Sequence, residues 1–359
     1  MGMRDVCLQS YSEQARNYFI ACYAVSLFQG QTINGKLIKL ATVRQYLKEV
    51  YALFEARKCK WHSDDDYIKL VLDSVKSYES VPRRRHMITD GMMHWMIAQA
   101  NHSGIDSSTA AIVDWTILGR YTGFRKSEFC QSSQHSYTRI DDWPHRPPLA
   151  FIEDDFTFLG SIEQIISTTT LSDFDAILKH VHYVRIRWRK QKNNQNGEEI
   201  TFARDDDKPN VCPVRAAIRI ILRAHRLGVK TYEPIGVSSS NAKRQYITDT
   251  RIAALYRKAA SVVLRISSKG KDIKQWSTHS LRVTAANLLY REKHTDSFIQ
   301  KRLRWRSNTF LDYLRNTIYA ATEHSKALTI SPNNLPSPLL RSYRESDPVE
   351  EMLEAAGAA

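Results

Sequence analysis

Apolar residues recur with the period of an α-helix along most of the chain. Before the first proline, Pro82, two apolar stripes follow the helical spacing of about 3.6 residues per turn: Tyr18, Cys22, Val25 and Leu27, and then Thr42, Val43, Tyr46, Leu47, Val50 and Tyr51. Residues 10–80 are therefore predicted to form a compact helical module. The same period predicts later helices over 88–100, 108–121, 214–227 and 296–303.

One later segment has a different period. Apolar and basic residues alternate along it: Val184, Ile186 and Trp188 with Arg185, Arg187 and Arg189. A two-residue period is typical of a strand with one buried face and one cationic face. Asn196-Gly197 predicts a type I′ turn, with Ile200 and Phe202 on the returning strand. The expected fold is mainly α-helical with a small β-hairpin or sheet.

Two interruptions of the pattern divide the chain. Pro82 followed by Arg83, Arg84 and Arg85 predicts a boundary, so that 1–84 and 85–330 form separate domains. Residues 331–359 contain prolines and are predicted to form an acidic tail. A short helix over 349–356 is predicted there, either docked on a neighbouring protomer through its apolar face or frayed.

Charge is the informative part of the composition. The 359 residues contain 52 Lys and Arg but 38 Asp and Glu, a net charge of +14, which favours a nucleic acid over a membrane surface as partner. No apolar run approaches the roughly 20 residues of a membrane span, and the first residues lack the apolar core of a secretory signal. We therefore expect an intracellular protein that does not bind membranes.

Motifs for common cofactors are absent from the sequence. The five cysteines form no C-x-x-C pair, and there is no phosphate loop, H-E-x-x-H or G-x-G-x-x-G. Reduced thiols, no metal and no cofactor are the expectation, so any chemistry must use side chains alone.

Candidate chemistry begins at His279-Ser280-Leu281-Arg282, which precedes a helical pattern. With Ser277 or Thr278 as the predicted N-cap, His279 and Arg282 lie one turn apart at a helix N-terminus. Such an end binds phosphate well, because free N–H groups and the helix dipole add to the side-chain charge. Taken alone, the pair is more often an ordinary surface feature.

Three further segments extend this pattern. Thr122-Gly123-Phe124-Arg125-Lys126-Ser127-Glu128 follows an apolar helix, a basic run over 301–306 contains Trp305, and Tyr313 lies on an apolar stripe beyond it. Together they resemble the active site of the tyrosine recombinase, or phage integrase, family. The sequence around Trp305 and Tyr313 is most similar to that of recombinases of eukaryotic crypton-type mobile elements.

Motif order and spacing carry this resemblance, which covers roughly residues 85–320. The family has an Arg in T-G-x-R-x-x-E, a hairpin Lys, an H-x-x-R pair, a His or Trp about 23 residues later and a Tyr about nine after that. Here Trp305 follows Arg282 by 305 − 282 = 23 residues, whereas Tyr313 follows Trp305 by 313 − 305 = 8. The resemblance implies a two-domain architecture: a helical core-binding domain that clamps DNA and an α+β catalytic domain.

The resemblance also implies a role for each residue. Arg125 and Arg282 would bind the non-bridging phosphate oxygens, and Tyr313, or failing that Tyr319, would be the nucleophile. His279 would relay the phenol proton, Trp305 would donate to the phosphate, and Lys192, or else Lys190, would protonate the leaving 5′ oxygen. Glu128 would hold Arg125 or the local helix in position.

Other cations are predicted to follow the DNA backbone: Arg83, Arg84, Arg85, Arg185, Arg187, Arg189, Lys190, Arg302, Arg304 and Arg306. The implied partners are a double-stranded DNA site and further copies of the chain, a dimer per site and a tetramer in the synapse. The compartment would be the nucleus for a eukaryotic element and otherwise the nucleoid or cytoplasm.

Two other functions compete with site-specific recombination. A type IB topoisomerase would use the same chemistry to relax supercoils without pairing sites, but the N-terminal helical module and Trp305 favour a recombinase. A DNA-binding protein could retain the fold without strand exchange; the short interval from Trp305 to Tyr313 supports it, and the ordered set of Arg125, His279, Arg282 and Trp305 opposes it.

Overall fold

The computed structural model describes residues 8–31, 35, 37–59, 66–78, 84–131, 149–167, 173–191, 196–306, 310, 311 and 314. The chain divides into two compact units, 1–83 and 84–359, called here the N-terminal and C-terminal units. The predicted tail helix over 349–356 lies outside the described residues.

Three helices form the described part of the N-terminal unit: α1 (Glu13–Phe28), α2 (Leu40–Ala56) and α3 (Asp66–Ser77). Ser12 caps α1 by accepting a hydrogen bond from the backbone of Ala15 at 3.3 Å. The core between the helices includes Ile20, Val43 and Leu72. A helical module is therefore present, as the apolar period predicts.

The face of α1 that enters this core differs from the predicted stripe. Tyr18 and Cys22 are exposed, whereas Ile20, Ala21 and Ala24 are buried. Small alanine side chains let neighbouring helices approach closely, and a tyrosine covers apolar surface while its hydroxyl stays in water. Leu27 is buried and Val25 packs against the core as predicted, so hydrophobicity alone identified only part of the packed face.

Eight helices occur in the described part of the C-terminal unit: α4 (Asp90–Asn101), α5 (Ser108–Thr122), α6 (Lys126–Phe129), α7 (Phe174–His180), α8 (Pro213–Arg226), α9 (Asp249–Val263), α10 (Ser280–Arg291) and α11 (Asp296–Leu303). Short 3-10 turns cover Glu153–Asp155, Pro209–Val211 and Asp272–Gln275. Helix α5 is buried along almost its whole length and packs on α4, α8 and α10. An apolar helix of this kind is the central core helix of its domain.

Two antiparallel sheets complete the C-terminal unit. The larger contains β1 (Phe156–Leu159), β2 (Ile165–Ile166), β3 (Tyr183–Trp188) and β4 (Glu198–Ala203) in the order β2-β1-β3-β4, and β5 (Val237–Ser240) pairs with β6 (Lys243–Tyr246). A mainly helical fold with a small sheet is therefore confirmed.

The predicted hairpin is formed by β3 and β4. Val184, Ile186 and Trp188 are buried on one face, as their alternation predicts. The predicted two-residue turn is wrong, because Trp188 pairs with Glu198 and the connection runs over 189–197. Asn196 instead accepts a hydrogen bond from the backbone N–H of Gln191 at 2.7 Å, inside this longer loop.

The described residues contain neither a membrane-spanning helix nor a cluster of metal-ligating side chains. Within them, no helix has the length and apolar character needed to cross a bilayer. No cluster of three or more His, Cys, Asp or Glu suited to a metal ion occurs in that part of the chain.

Candidate DNA-cleavage site

The first arginine of the predicted site follows the end of the central helix. Helix α5 stops at Gly123, which adopts a left-handed conformation (φ 58°, ψ 43°) that favours glycine. The chain then becomes extended at Arg125, the residue that precedes α6. This sharp change of direction carries Arg125 out of the α5 axis and places its side chain, 17% exposed, at the edge of the core.

The second arginine is brought to the same place by α10. Arg282 lies in the first turn of α10 and is 8% exposed. Its Nη1 donates a hydrogen bond to the carbonyl oxygen of Gly123 at 3.0 Å. Two segments separated by 282 − 125 = 157 residues in the sequence therefore meet at the turn between α5 and α6.

His279 stands at the N-terminal boundary of α10 and is half-buried. The predicted capping by Ser277 or Thr278 is wrong: the cap position is His279, and it makes no side-chain capping bond. The backbone N–H of Ser277 instead donates to the hydroxyl of Ser280 at 3.1 Å. His279 and Arg282 are nonetheless one turn apart, as the sequence predicts.

Trp305 packs directly against the second arginine. The Arg282 guanidinium carbon lies 4.7 Å from the centre of the Trp305 ring, within the range of a cation–π interaction. Trp305 is 6% exposed and shares a small core with Leu303 and Phe310. The end of α11 thus fixes one face of the Arg282 side chain.

Glu128 is the centre of a buried hydrogen-bond network. Its carboxylate accepts from the Arg125 backbone N–H at 3.0 Å and from Arg125 Nη1 at 3.2 Å. It also accepts from Trp188 Nε1 and from Arg304 Nη2, each at 3.2 Å. A single negative charge therefore orients Arg125 and is shared with a second arginine.

Two cations assigned to the DNA backbone by the sequence form ion pairs with internal carboxylates. Arg304 is fully buried, bonded to Glu128 and to the Thr122 carbonyl oxygen at 3.1 Å. Arg189 forms an ion pair at 2.6 Å with Asp155, a residue that is 1% exposed. The predicted backbone contact of Arg304 is wrong, because its side chain is 0% exposed. The Arg189 side chain is partly exposed, so its predicted contact stays a prediction.

The Asp155 carboxyl shows how strongly this interior differs from water. Burial raises the pKa of Asp155 above its ordinary value, and the Arg189 guanidinium opposes that rise. Arg189 also donates to the carbonyl oxygen of Ala150 at 3.0 Å. It therefore joins the end of the hairpin to the core.

The remaining predicted cations differ in exposure. Arg84, Arg187, Lys190 and Arg306 are exposed, and Arg185 lies near Glu199 at 3.9 Å. Arg302 is half-buried over the Phe202 ring, and Arg85 donates to the carbonyl oxygen of Lys274. Arg83, Lys192, Tyr313 and Tyr319 lie outside the described residues.

Gln191 is a site residue that the sequence did not reveal. Its side-chain oxygen accepts a hydrogen bond from Arg125 Nη1 at 3.4 Å, and its amide nitrogen donates to Glu198 at 3.4 Å. It links the β3–β4 loop, which also contains Lys190, to the first arginine. Nothing in its sequence neighbourhood distinguishes it from the other polar loop residues.

Solved structures supply a comparison for this arrangement. The integrase of the Tn1549 transposon, in complex with transposon right-end DNA, superposes with a TM-score of 0.50 at 12% identity over 87% of this chain and 85% of that one. This chain shares the fold of that integrase. The predicted recombinase architecture is thereby confirmed at the level of the fold.

Other comparisons place no further constraint on the chain. Lambda integrase bound as a dimer to a COC′ core site gives a TM-score of 0.45 at 16% identity, over 88% of this chain and 84% of that one. XerH recombinase bound to difH gives 0.48 at 14% identity, over 89% and 72% respectively. No protein-family model and no curated protein sequence matches the chain.

Proposed function

We propose that the chain is a site-specific DNA recombinase or integrase that cleaves and rejoins DNA through a covalent 3′-phosphotyrosine. The meeting of Arg125 and Arg282 carries this proposal, because Arg282 donates to Gly123, two residues before Arg125. A phosphodiester gains negative charge in its transition state, and preorganised cations stabilise that charge. Guanidinium groups suit this task because they can donate two parallel hydrogen bonds to phosphate oxygens.

The reaction needs a nucleophile and a leaving-group acid in addition to the arginines. Tyr313, as the phenolate, would attack the phosphorus while the bond from phosphorus to the 5′ oxygen breaks. His279 would accept the phenol proton, Lys192 would give a proton to the 5′ oxygen, and Trp305 would donate to a phosphate oxygen. Attack by a second 5′ hydroxyl on the phosphotyrosine then rejoins the strands and releases Tyr313.

Bond energy is conserved through this cycle. Each step exchanges one phosphodiester for another, so strand exchange requires neither ATP nor a divalent ion. Pairing two double-stranded sites requires four copies of the chain, a dimer at each site. We further propose that residues 1–84 form the DNA-clamping domain and that 85–330 form the catalytic domain.

A covalent-capture experiment tests the assignment. The full-length protein is incubated with a duplex library of randomised sequence in which each member carries a nick, so that a short strand is lost after cleavage and the adduct persists. We expect DNA to remain attached to the wild type after SDS denaturation and to be absent with Tyr313→Phe. Sequencing of the captured DNA identifies the target site.

Each outcome decides a part of the proposal. Adducts that persist in Tyr313→Phe but disappear in Tyr319→Phe would reassign the nucleophile. Binding without any adduct in the wild type would leave a DNA-binding protein that shares the fold. Relaxation of a supercoiled plasmid lacking the captured site would favour a topoisomerase.

A further inference from the structure

Arg304 is unusual in two respects, because its charge is buried and its backbone is left-handed. It follows the last residue of α11 and has a left-handed backbone conformation (φ 56°, ψ 54°), which residues other than glycine rarely adopt. Its guanidinium carbon lies 3.7 Å from the centre of the Trp188 ring, and its side chain is 0% exposed. The surroundings therefore hold a strained backbone and a buried cation in one arrangement.

The left-handed turn places two adjacent side chains so that each supports a different arginine of the proposed site. Arg304 contacts Glu128, which in turn holds Arg125. Trp305, the next residue, packs on Arg282. One dipeptide at the end of α11 thus supports both arginines of the proposed site.

A contribution to stability does not explain why this buried position has a charged side chain. An apolar side chain stacked on Trp188 would fill the same space without the desolvation cost that a buried ion pair carries. Burial lowers the pKa of Arg304 to about 10, although the nearby Glu128 opposes this change. The guanidinium therefore remains protonated at neutral pH and contributes a full positive charge beside Glu128.

Sharing of the Glu128 carboxylate has a direct electrostatic consequence. The Arg125 guanidinium binds Glu128 Oε1, and the Arg304 guanidinium binds Oε2 of the same carboxylate. With two guanidinium groups and one carboxylate, the cluster retains a net positive charge. Without Arg304, the carboxylate would pair with Arg125 alone and neutralise it.

We propose that Arg304 is a positioning residue that keeps Arg125 oriented and cationic toward the scissile phosphate by taking a share of Glu128. This inference rests on the proposed strand-cleaving function. It concerns a residue that does not itself touch the DNA. It also explains why an arginine stands at a helix end where the backbone favours glycine.

Two variants separate this role from simple packing. Arg304→Met keeps a long side chain over Trp188 but leaves Glu128 to Arg125, and adding Glu128→Gln removes the neutralising charge while keeping an oxygen that accepts from Arg125. The rate constant of adduct formation is measured on the captured site at saturating DNA. DNA affinity is measured separately in a Tyr313→Phe background, where no cleavage occurs.

We expect Arg304→Met to lower the cleavage rate constant about a hundredfold, a loss typical of a misplaced reacting group, with unchanged DNA affinity. The added Glu128→Gln should restore about a tenth of the wild-type rate. A packing role predicts no such recovery, since the double variant would then cleave no faster than Arg304→Met. Arg304→Lys, which keeps the charge but not the fork of donors, should fall between wild type and Arg304→Met and serves if Arg304→Met does not fold.

Arg223→Met is the matched control. Arg223 is 3% exposed and shares the buried carboxylate of Asp114 with Arg219, the same arrangement elsewhere in the unit. It should lower thermal stability without changing the cleavage rate constant. Absence of adduct in the wild type overturns the proposed function itself, whereas an active wild type matched by Arg304→Met overturns only the role of Arg304.

Discussion

The packing between α5 and α10 decides whether the two arginines meet, and a single methyl group tests it. Gly119 lies in α5 against Leu281 of α10, the residue before Arg282. A Cβ atom at Gly119 would lie 2.6 Å from Leu281 Cδ1, 3.2 Å from Cδ2 and 3.3 Å from Cγ. Carbon atoms in contact prefer about 3.5–4.0 Å, so Gly119→Ala must displace Leu281 or α10 by about 1 Å.

Two effects of opposite sign determine the stability of Gly119→Ala. Alanine is favoured over glycine inside a helix by about 1 kcal/mol. Overpacking a buried contact costs about 1–3 kcal/mol, and Leu281 is 0% exposed with little room to move. The clash should therefore prevail by about 1 kcal/mol, which lowers the melting temperature by about 2–4 °C in a domain of this size.

A double-mutant cycle isolates the contact. In a Leu281→Ala background the clashing methyl groups are gone, so the same Gly119→Ala change should raise the melting temperature instead of lowering it. The coupling between the two sites should be about 2 kcal/mol. Gly91→Ala in α4 is a milder control, because its Cβ would meet the end of one side chain, Val263 Cγ1, at 3.1 Å.

Thermal unfolding and adduct formation are measured on the same samples. A 1 Å shift of α10 moves Arg282 relative to Arg125 and should reduce the cleavage rate constant about a hundredfold. If Gly119→Ala stabilises the wild-type protein, the helices are not in the close contact described and the reasoning fails. Lower stability with an unchanged cleavage rate would show that the Leu281 side chain absorbs the clash and that α10 stays in place.

The contact of Gly236 with Phe129 and the burial of the Cys130 thiol can each be tested in solution. Gly236→Ala should lower stability by up to about 3 kcal/mol in thermal unfolding, because its Cβ would lie 2.3 Å from the backbone oxygen of Phe129; a melting temperature equal to wild type would contradict that approach. Iodoacetamide at pH 8 should modify the exposed Cys22 but not Cys130, since burial raises the pKa of the Cys130 thiol to about 12. Peptide mass spectrometry measures both, and equal labelling would mean that α6 opens in solution.

The sequence predicted those features that depend on local period and motif. Alternation of Val184, Ile186 and Trp188 with basic residues identified β3, because a two-residue period is the pattern that a strand with one buried face produces. The helix predicted over 214–227 corresponds to α8, which differs from it by one residue at each end. The T-G-x-R and H-x-x-R motifs identified segments that do meet in the fold.

Long-range pairing was beyond the reach of the same reasoning. The two-residue turn expected at Asn196-Gly197 did not form, because the strands separate at Trp188 and the Asn196 side chain bonds to Gln191 inside the longer loop. Arg189 looked like the other arginines of its strand, yet it reaches Asp155, 34 residues away in the sequence. A period reports which side of a strand a residue occupies and cannot report which carboxylate will be there.

Arg304 shows the same limit in the most consequential place. Its basic neighbours made it resemble one member of a DNA-binding run, and no local pattern indicates that Glu128, 176 residues earlier, lies beside it. Its left-handed backbone turns it inward while Trp305 and the exposed Arg306 take other directions. Charge in a sequence therefore does not distinguish a cation that binds a partner from one that organises the site.

Among the described residues, two buried carboxylates are each shared by two arginines, and the source of those arginines determines what each cluster does. Asp114 binds Arg219 and Arg223, which both belong to α8, so loss of one arginine changes how a single helix is held. Glu128 binds Arg125 before α6 and Arg304 after α11, which lie 304 − 125 = 179 residues apart in the sequence. Loss of Arg304 therefore alters the charge and position of a group proposed to contact phosphate. The same ionic arrangement should affect stability at Asp114 and strand cleavage at Glu128.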